Sequence, residues 1–167
     1  IVNMERKNPT IKLWIIRKNN IVKPITFIEK KMSNKISYKR SNEYIFSRGY
    51  LRYVLSELFR VNPLKVPIEA PPGKPPTLKG DKGYISISHC NDALLLGWSE
   101  VKIGIDIENA YRPIPSKAIY KRFYSREEQN RLDLLTDEKL RLNTLKLWVL
   151  KESLIKWQNG FLIKDLS

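Results

Sequence analysis

Residues 103–108 read Ile103-Gly104-Ile105-Asp106-Ile107-Glu108, and residues 148–156 read Trp148-Val149-Leu150-Lys151-Glu152-Ser153-Leu154-Ile155-Lys156. The first stretch alternates with period two, which predicts a strand with its isoleucines toward a core and Asp106 and Glu108 together on the other face. Two carboxylates placed this way lie about 7 Å apart and can converge on one cation. The second stretch predicts a helix carrying Trp148, Glu152 and Lys156 on one face, at i, i+4 and i+8. Hard oxygen donors suit magnesium, which usually keeps waters or substrate phosphates in its shell. Each half also has a plainer reading: a solvated strand face, and a helix salt bridge between Glu152 and Lys156.

Working outward, a long helix is expected from about Glu138 to Trp157, with Leu147, Leu150, Leu154 and Trp157 as its apolar stripe and Gly160 as its stop. Ser125 and Glu128 have capping-box spacing. Upstream, Tyr84–Ser88, Leu94–Trp98 and Lys102–Glu108 read as three strands of a meander, joined by turns at Asn91-Asp92 and Ser99-Glu100. The Pro71-Pro72-Gly73-Lys74-Pro75-Pro76 run is too stiff and donor-poor for a helix or central strand and predicts an extended loop. A helix from about Asn42 to Phe59, with Ser41 as N-cap, places Arg48 and Arg52 four apart on one face, and Lys12–Ile16 reads as a first strand.

The bulk properties narrow the chemistry. The 167 residues carry 31 Lys and Arg against 17 Asp and Glu, a net charge of +14 that attracts polyanions or acidic proteins. One cysteine, Cys90, excludes an intrachain disulfide and a cysteine-based zinc site, and one histidine, His89, excludes a histidine-rich metal site. The cysteine usage favours a reducing, cytoplasmic setting. No segment resembles a signal peptide or a membrane-spanning helix. A phosphate loop of the Gly-x-x-x-x-Gly-Lys-Ser/Thr kind is absent.

The two acidic motifs together resemble the signature of the 4'-phosphopantetheinyl transferase superfamily, a Gly-x-Asp-x-Glu strand followed by a Trp-x-x-Lys-Glu-Ala/Ser-x-x-Lys helix. Between them, Arg122-Phe123-Tyr124-Ser125 to Glu128 is similar to the family's Phe-Phe-Ser/Thr-x-x-Glu element. Gly73-Lys74-Pro75, Ile87-Ser88-His89 and the basic helix around Glu43–Arg52 resemble motifs of the larger, Sfp-type branch. The resemblance implies an α+β, pseudo-dimeric fold of two α/β halves, here 1–100 and 101–167, with the active site between them. Only eleven residues follow Lys156, so the second half is expected to lack the strands that complete it in that branch.

The same resemblance implies transfer of 4'-phosphopantetheine from coenzyme A to a serine of an apo acyl or peptidyl carrier protein, with release of 3',5'-ADP. Asp106, Glu108 and Glu152 become the magnesium ligands. Glu152 also becomes the base, directly or through a metal-bound water, and Lys156 assists the leaving phosphate. Arg48, Arg52, Ser88, His89 and Lys156 are expected at the coenzyme A phosphates, and Gly73, Lys74 and Pro75 at its nucleotide end. The expected partners are coenzyme A and an acidic carrier protein of a fatty-acid, polyketide or peptide pathway, with neither nucleic acid nor membrane. A non-catalytic module that binds coenzyme A or a carrier protein is the alternative. A nucleic-acid-binding reading through Lys30–Arg52 leaves the three acids unexplained.

Overall fold

The computed structural model describes residues 8–71 and 74–158. In chain order the elements are β1 (Ile11–Arg17), α1 (Phe27–Ser33), α2 (Tyr38–Phe59), a 3-10 turn (Pro63–Lys65), β2 (Ile68–Glu69), β3 (Thr77–Leu78), β4 (Tyr84–His89), β5 (Ala93–Ser99), α3 (Ser116–Phe123), α4 (Arg126–Asp133) and α5 (Asp137–Gln158). They form two compact units, one of residues 16–82 and one that joins residues up to 15 to residues from 83 onward. The β4–β5 hairpin belongs with the helices that follow it, and β1 enters the same sheet.

In the 16–82 unit, α1 opens on a reciprocal capping box: Thr26 N donates to Glu29 Oε2 at 2.8 Å, and Glu29 N to Thr26 Oγ1 at 3.3 Å. α2 begins one turn earlier than expected, after Ser37 rather than Ser41. Tyr38, Lys39 and Arg40 are exposed and contribute nothing to apolar periodicity, yet none of them breaks a helix. The helix ends at Arg60 in the left-handed conformation (φ 54°), and Asn62 caps the 3-10 turn at Leu64 N (2.9 Å). The proline-rich loop is bracketed by a short antiparallel pair, Ile68 opposite Leu78 and Glu69 opposite Thr77. Pro72 and Gly73 lie outside the described residues.

In the other unit the sheet order is β1-β5-β4. β4 and β5 pair antiparallel from Tyr84–Ser99 to His89–Leu94, and the turn closes with Cys90 N donating to Ala93 O at 3.0 Å. Leu94 and Leu96 are buried where the continuous apolar strand was expected. Residues 102–109 form no strand and no backbone ladder with β4, contrary to the expected third strand of a meander. Their links to β4 are side chain to main chain: Ile105 N donates to Ser86 Oγ (3.2 Å) and Ile107 N to Ser88 Oγ (3.3 Å).

The three C-terminal helices pack around Tyr120, Tyr124, Leu132 and Leu140, with Phe123 and Trp148 meeting edge to face at 5.8 Å. Ser125 and Glu128 form the expected capping box on α4. Tyr124 Oη donates to Thr144 O at 2.6 Å, tying the end of α3 to α5. Leu140, Thr144, Leu145 and Ile155 are the residues that α5 buries. The expected stripe is largely outward instead: Leu150, Leu154 and Trp157 are 64%, 52% and 46% exposed.

Candidate functional site

Gly104 lies directly against α5. A Cβ there would sit 2.1 Å from Ser153 O and 2.4 Å from Trp157 N, so only glycine lets the segment come this close to the helix backbone. Next to it, Ile105 covers Gly97 of β5, whose added Cβ would meet Ile105 Cδ1 at 3.0 Å. The segment is thus held between sheet and helix, with Asp106 beside the last turns of α5.

Asp106 receives two donors on one oxygen. Ser88 Oγ donates to Oδ1 at 2.6 Å, and Lys156 Nζ donates to the same atom at 2.6 Å. The i,i+4 salt bridge between Glu152 and Lys156 does not form; Lys156 reaches across to the strand segment instead. Glu152 makes no hydrogen bond or ion pair among the described residues. Burial pushes its carboxyl above the usual carboxylate range, the charge of Asp106 adds to that, and Lys156 opposes it. Two acids whose charges resist each other, with an ammonium beside them, form the electrostatic centre of this unit.

Glu108 is placed differently. Its Oε1 accepts from Asn109 N (3.0 Å) and its Oε2 pairs with Arg112 four residues on. Among the described residues no group of three or more His, Cys, Asp and Glu is arranged to hold a metal ion. Of the three acids expected together, Asp106 and Glu152 are neighbours, while Glu108 is held by Arg112. His89 is exposed at the end of β4, next to buried Ser88.

The remaining expected contacts lie in the 16–82 unit. Arg52 is buried, its Nε 2.7 Å from Glu29 Oε2 and its Nη1 3.1 Å from both Pro63 O and Val66 O. Through Nε and Nη1 the guanidinium holds α1, α2 and the 3-10 turn together, a structural role beside the coenzyme A phosphate contact expected of it. Arg48 is the opposite case: it is buried over the Tyr44 ring (5.1 Å), and among the described residues Nε and Nη1 have no hydrogen-bond partner. Lys74 and Pro75 are exposed in the loop, and Gly73 lies outside the described residues.

Two residues of this site were missed in the sequence. Ser86 was visible only as a small polar residue in a strand alternation. Arg112 follows Glu108 at a spacing of four, but across a turn in which Asn109 Oδ1 accepts from Tyr111 N (2.8 Å), where a helix rule has no purchase.

A family model, the 4'-phosphopantetheinyl transferase superfamily, matches residues 102–166. The matched stretch contains Asp106, Glu108, Glu152 and Lys156, and points to transferase chemistry of the phosphopantetheinyl kind. No curated protein matches the chain. Among the described residues no helix is long and apolar enough to cross a membrane.

Proposed function

We propose that this protein transfers the 4'-phosphopantetheine group of coenzyme A to a serine of an apo acyl or peptidyl carrier protein, in the manner of the larger, Sfp-type branch of that superfamily. The observation that carries the reading is the meeting of Asp106, Glu152 and Lys156 across the Gly104 contact, within the matched stretch.

The hard-oxygen donors of Asp106 and Glu152 fit magnesium, since a divalent cation relieves the mutual repulsion that raises the Glu152 carboxyl. They would hold it, with Glu108 joining if its pair with Arg112 opens, and the ion when bound supplies charge neutralisation at the pyrophosphate. The carrier serine oxygen bonds to the phosphorus of the phosphopantetheine arm as the bond to 3',5'-ADP breaks. Glu152, with its raised carboxyl, takes the serine proton. In this reading the Lys156 ammonium, held beside Asp106, offsets charge on the departing phosphate. The net charge of +14 attracts both coenzyme A and an acidic carrier, an attraction that weakens with salt. We assign the protein to the cytoplasm on the same reading.

The test is to incubate the protein with coenzyme A, magnesium and apo carrier protein and weigh the carrier. A gain of one phosphopantetheine arm supports the reading. No gain with several carriers, using folded protein, refutes it. Calorimetric binding of coenzyme A without turnover would favour the non-catalytic module, to which the Glu108–Arg112 pair lends some support.

A further inference from the structure

β4 carries Ser86 and Ser88 two residues apart, and the acidic segment presents the N–H groups of Ile105 and Ile107, also two apart. Each hydroxyl accepts one of them, at 3.2 and 3.3 Å. This is a ladder with the period of a β-sheet, but with side-chain oxygens in place of carbonyls. It leaves the segment about one side chain farther from β4 than a true ladder would, and lets it approach α5 at Gly104.

Ser88 does more than hold register. Its oxygen accepts from Ile107 N, and its single proton is directed to Asp106 Oδ1 at 2.6 Å. Lys156 donates to that same oxygen, so both donors fall on Oδ1, and among the described residues Oδ2 has no hydrogen bond. We infer that Ser86 and Ser88 are positioning residues that set the register of residues 102–109 and, through Ser88, determine which carboxylate oxygen of Asp106 faces an incoming ligand. This role goes beyond the phosphate contact expected of Ser88, and its catalytic consequence rests on the transferase reading above.

The experiment has two arms on the full chain. Amide hydrogen exchange by NMR reads the ladder without reference to activity. Ser86→Ala is expected to speed exchange at Ile105 about fivefold and leave Ile107 unchanged, and Ser88→Ala to do the reverse. In the carrier-modification assay, Ser86→Ala is expected to lower kcat roughly tenfold with the KM for coenzyme A unchanged, because misplacement rather than lost binding is the defect. Ser86→Thr, which keeps the hydroxyl, should restore the rate. Unchanged exchange at Ile105 in Ser86→Ala and at Ile107 in Ser88→Ala overturns the ladder. A raised KM with kcat intact in Ser86→Ala overturns the positioning role in favour of direct contact. Wild-type protein without transfer, but with the paired exchange pattern, refutes the transferase reading and supports the ladder. If Ser88→Ala does not fold, the less buried Ser86 carries the test alone.

Discussion

Lys156 sets its ammonium 2.6 Å from Oδ1 of Asp106, fifty residues earlier, while the carboxyl of Glu152, one turn before it on the same helix, has no hydrogen bond among the described residues. The arrangement separates two acids by role. Asp106 pairs with Lys156 and accepts a hydrogen bond from Ser88, whereas the Glu152 carboxyl is pushed up by burial and by the charge of Asp106, with Lys156 opposing.

Removing the ammonium takes the cation from Asp106 and, on the transferase reading proposed above, from the leaving phosphate as well. Lys156→Ala is expected to slow carrier modification by about a hundredfold or more, the scale seen when a charge-stabilising donor is removed. Lys156→Met, which keeps much of the stem, should be equally slow if charge is the cause. A rate within a factor of three of wild type for Lys156→Met, measured by mass spectrometry of the carrier, would exclude Lys156 from the chemistry.

The Gly104 contact gives a graded prediction. In Gly104→Ala the new methyl meets backbone atoms of α5 at 2.1 and 2.4 Å, so the helix or the acidic segment must move. In Gly97→Ala it meets the tip of a side chain, Ile105 Cδ1, at 3.0 Å, which can turn aside. Gly104→Ala should cost about 1–3 kcal/mol of stability, as overpacking does. It should also slow transfer by about a hundredfold, as expected for a shift of about 1 Å between reacting groups. Gly97→Ala should lose less on both counts. Denaturant melts and transfer rates for the two variants check the order, and a milder effect at Gly104 than at Gly97 would contradict it.

How much of this could be read from the sequence depends on how local each cause is. The β4–β5 hairpin, the Ser125–Glu128 cap and the extent of α5 were legible because alternation, capping and periodicity act over a few residues. Residues 102–108 alternate as a strand does, but alternation reports extended backbone and not what that backbone bonds to, so the side-chain ladder was hidden. Arg48 and Arg52 look alike at a spacing of four. Arg52 is paired with Glu29, 23 residues away, whereas Nε and Nη1 of Arg48 have no hydrogen-bond partner among the described residues, a difference that only tertiary structure creates. The stripe of α5 fails similarly, since periodicity shows that Leu150, Leu154 and Trp157 share a face but not whether anything covers it.

The Arg52–Glu29 pair makes stability depend on pH. Burial alone would raise the Glu29 carboxyl, but the hydrogen bond and charge of Arg52, with the bonds from Thr26, outweigh it and hold it below its ordinary value of 4.5. A carboxyl lowered on folding contributes stability that is fully present above the unfolded value and is lost as pH falls through the folded one. At pH 7, Glu29→Gln should be less stable than wild type by about 3 kcal/mol, because a buried guanidinium loses its counter-charge. The gap should narrow as pH drops below about 4.5. Urea melts of both proteins at pH 7, 5 and 3.5 measure it; a gap that is constant with pH would remove the electrostatic account.

Arg48 should behave in the opposite way to Arg52. Its buried Nε and Nη1 have no hydrogen-bond partner among the described residues, so these donors are desolvated without compensation. Replacing it with a similarly sized apolar chain removes that penalty, and Arg48→Met is expected to be as stable as wild type or more so in the absence of ligand. If the unpaired donors serve a phosphate of coenzyme A, the order reverses when coenzyme A is added. Ligand at a hundred times its Kd stabilises a protein by about 2.7 kcal/mol, and Arg48→Met should lose most of that gain at the same concentration. Thermal melts with and without coenzyme A therefore test one residue in two directions. A destabilised free variant with an undiminished coenzyme A shift would show that Arg48 holds the fold and does not bind the ligand.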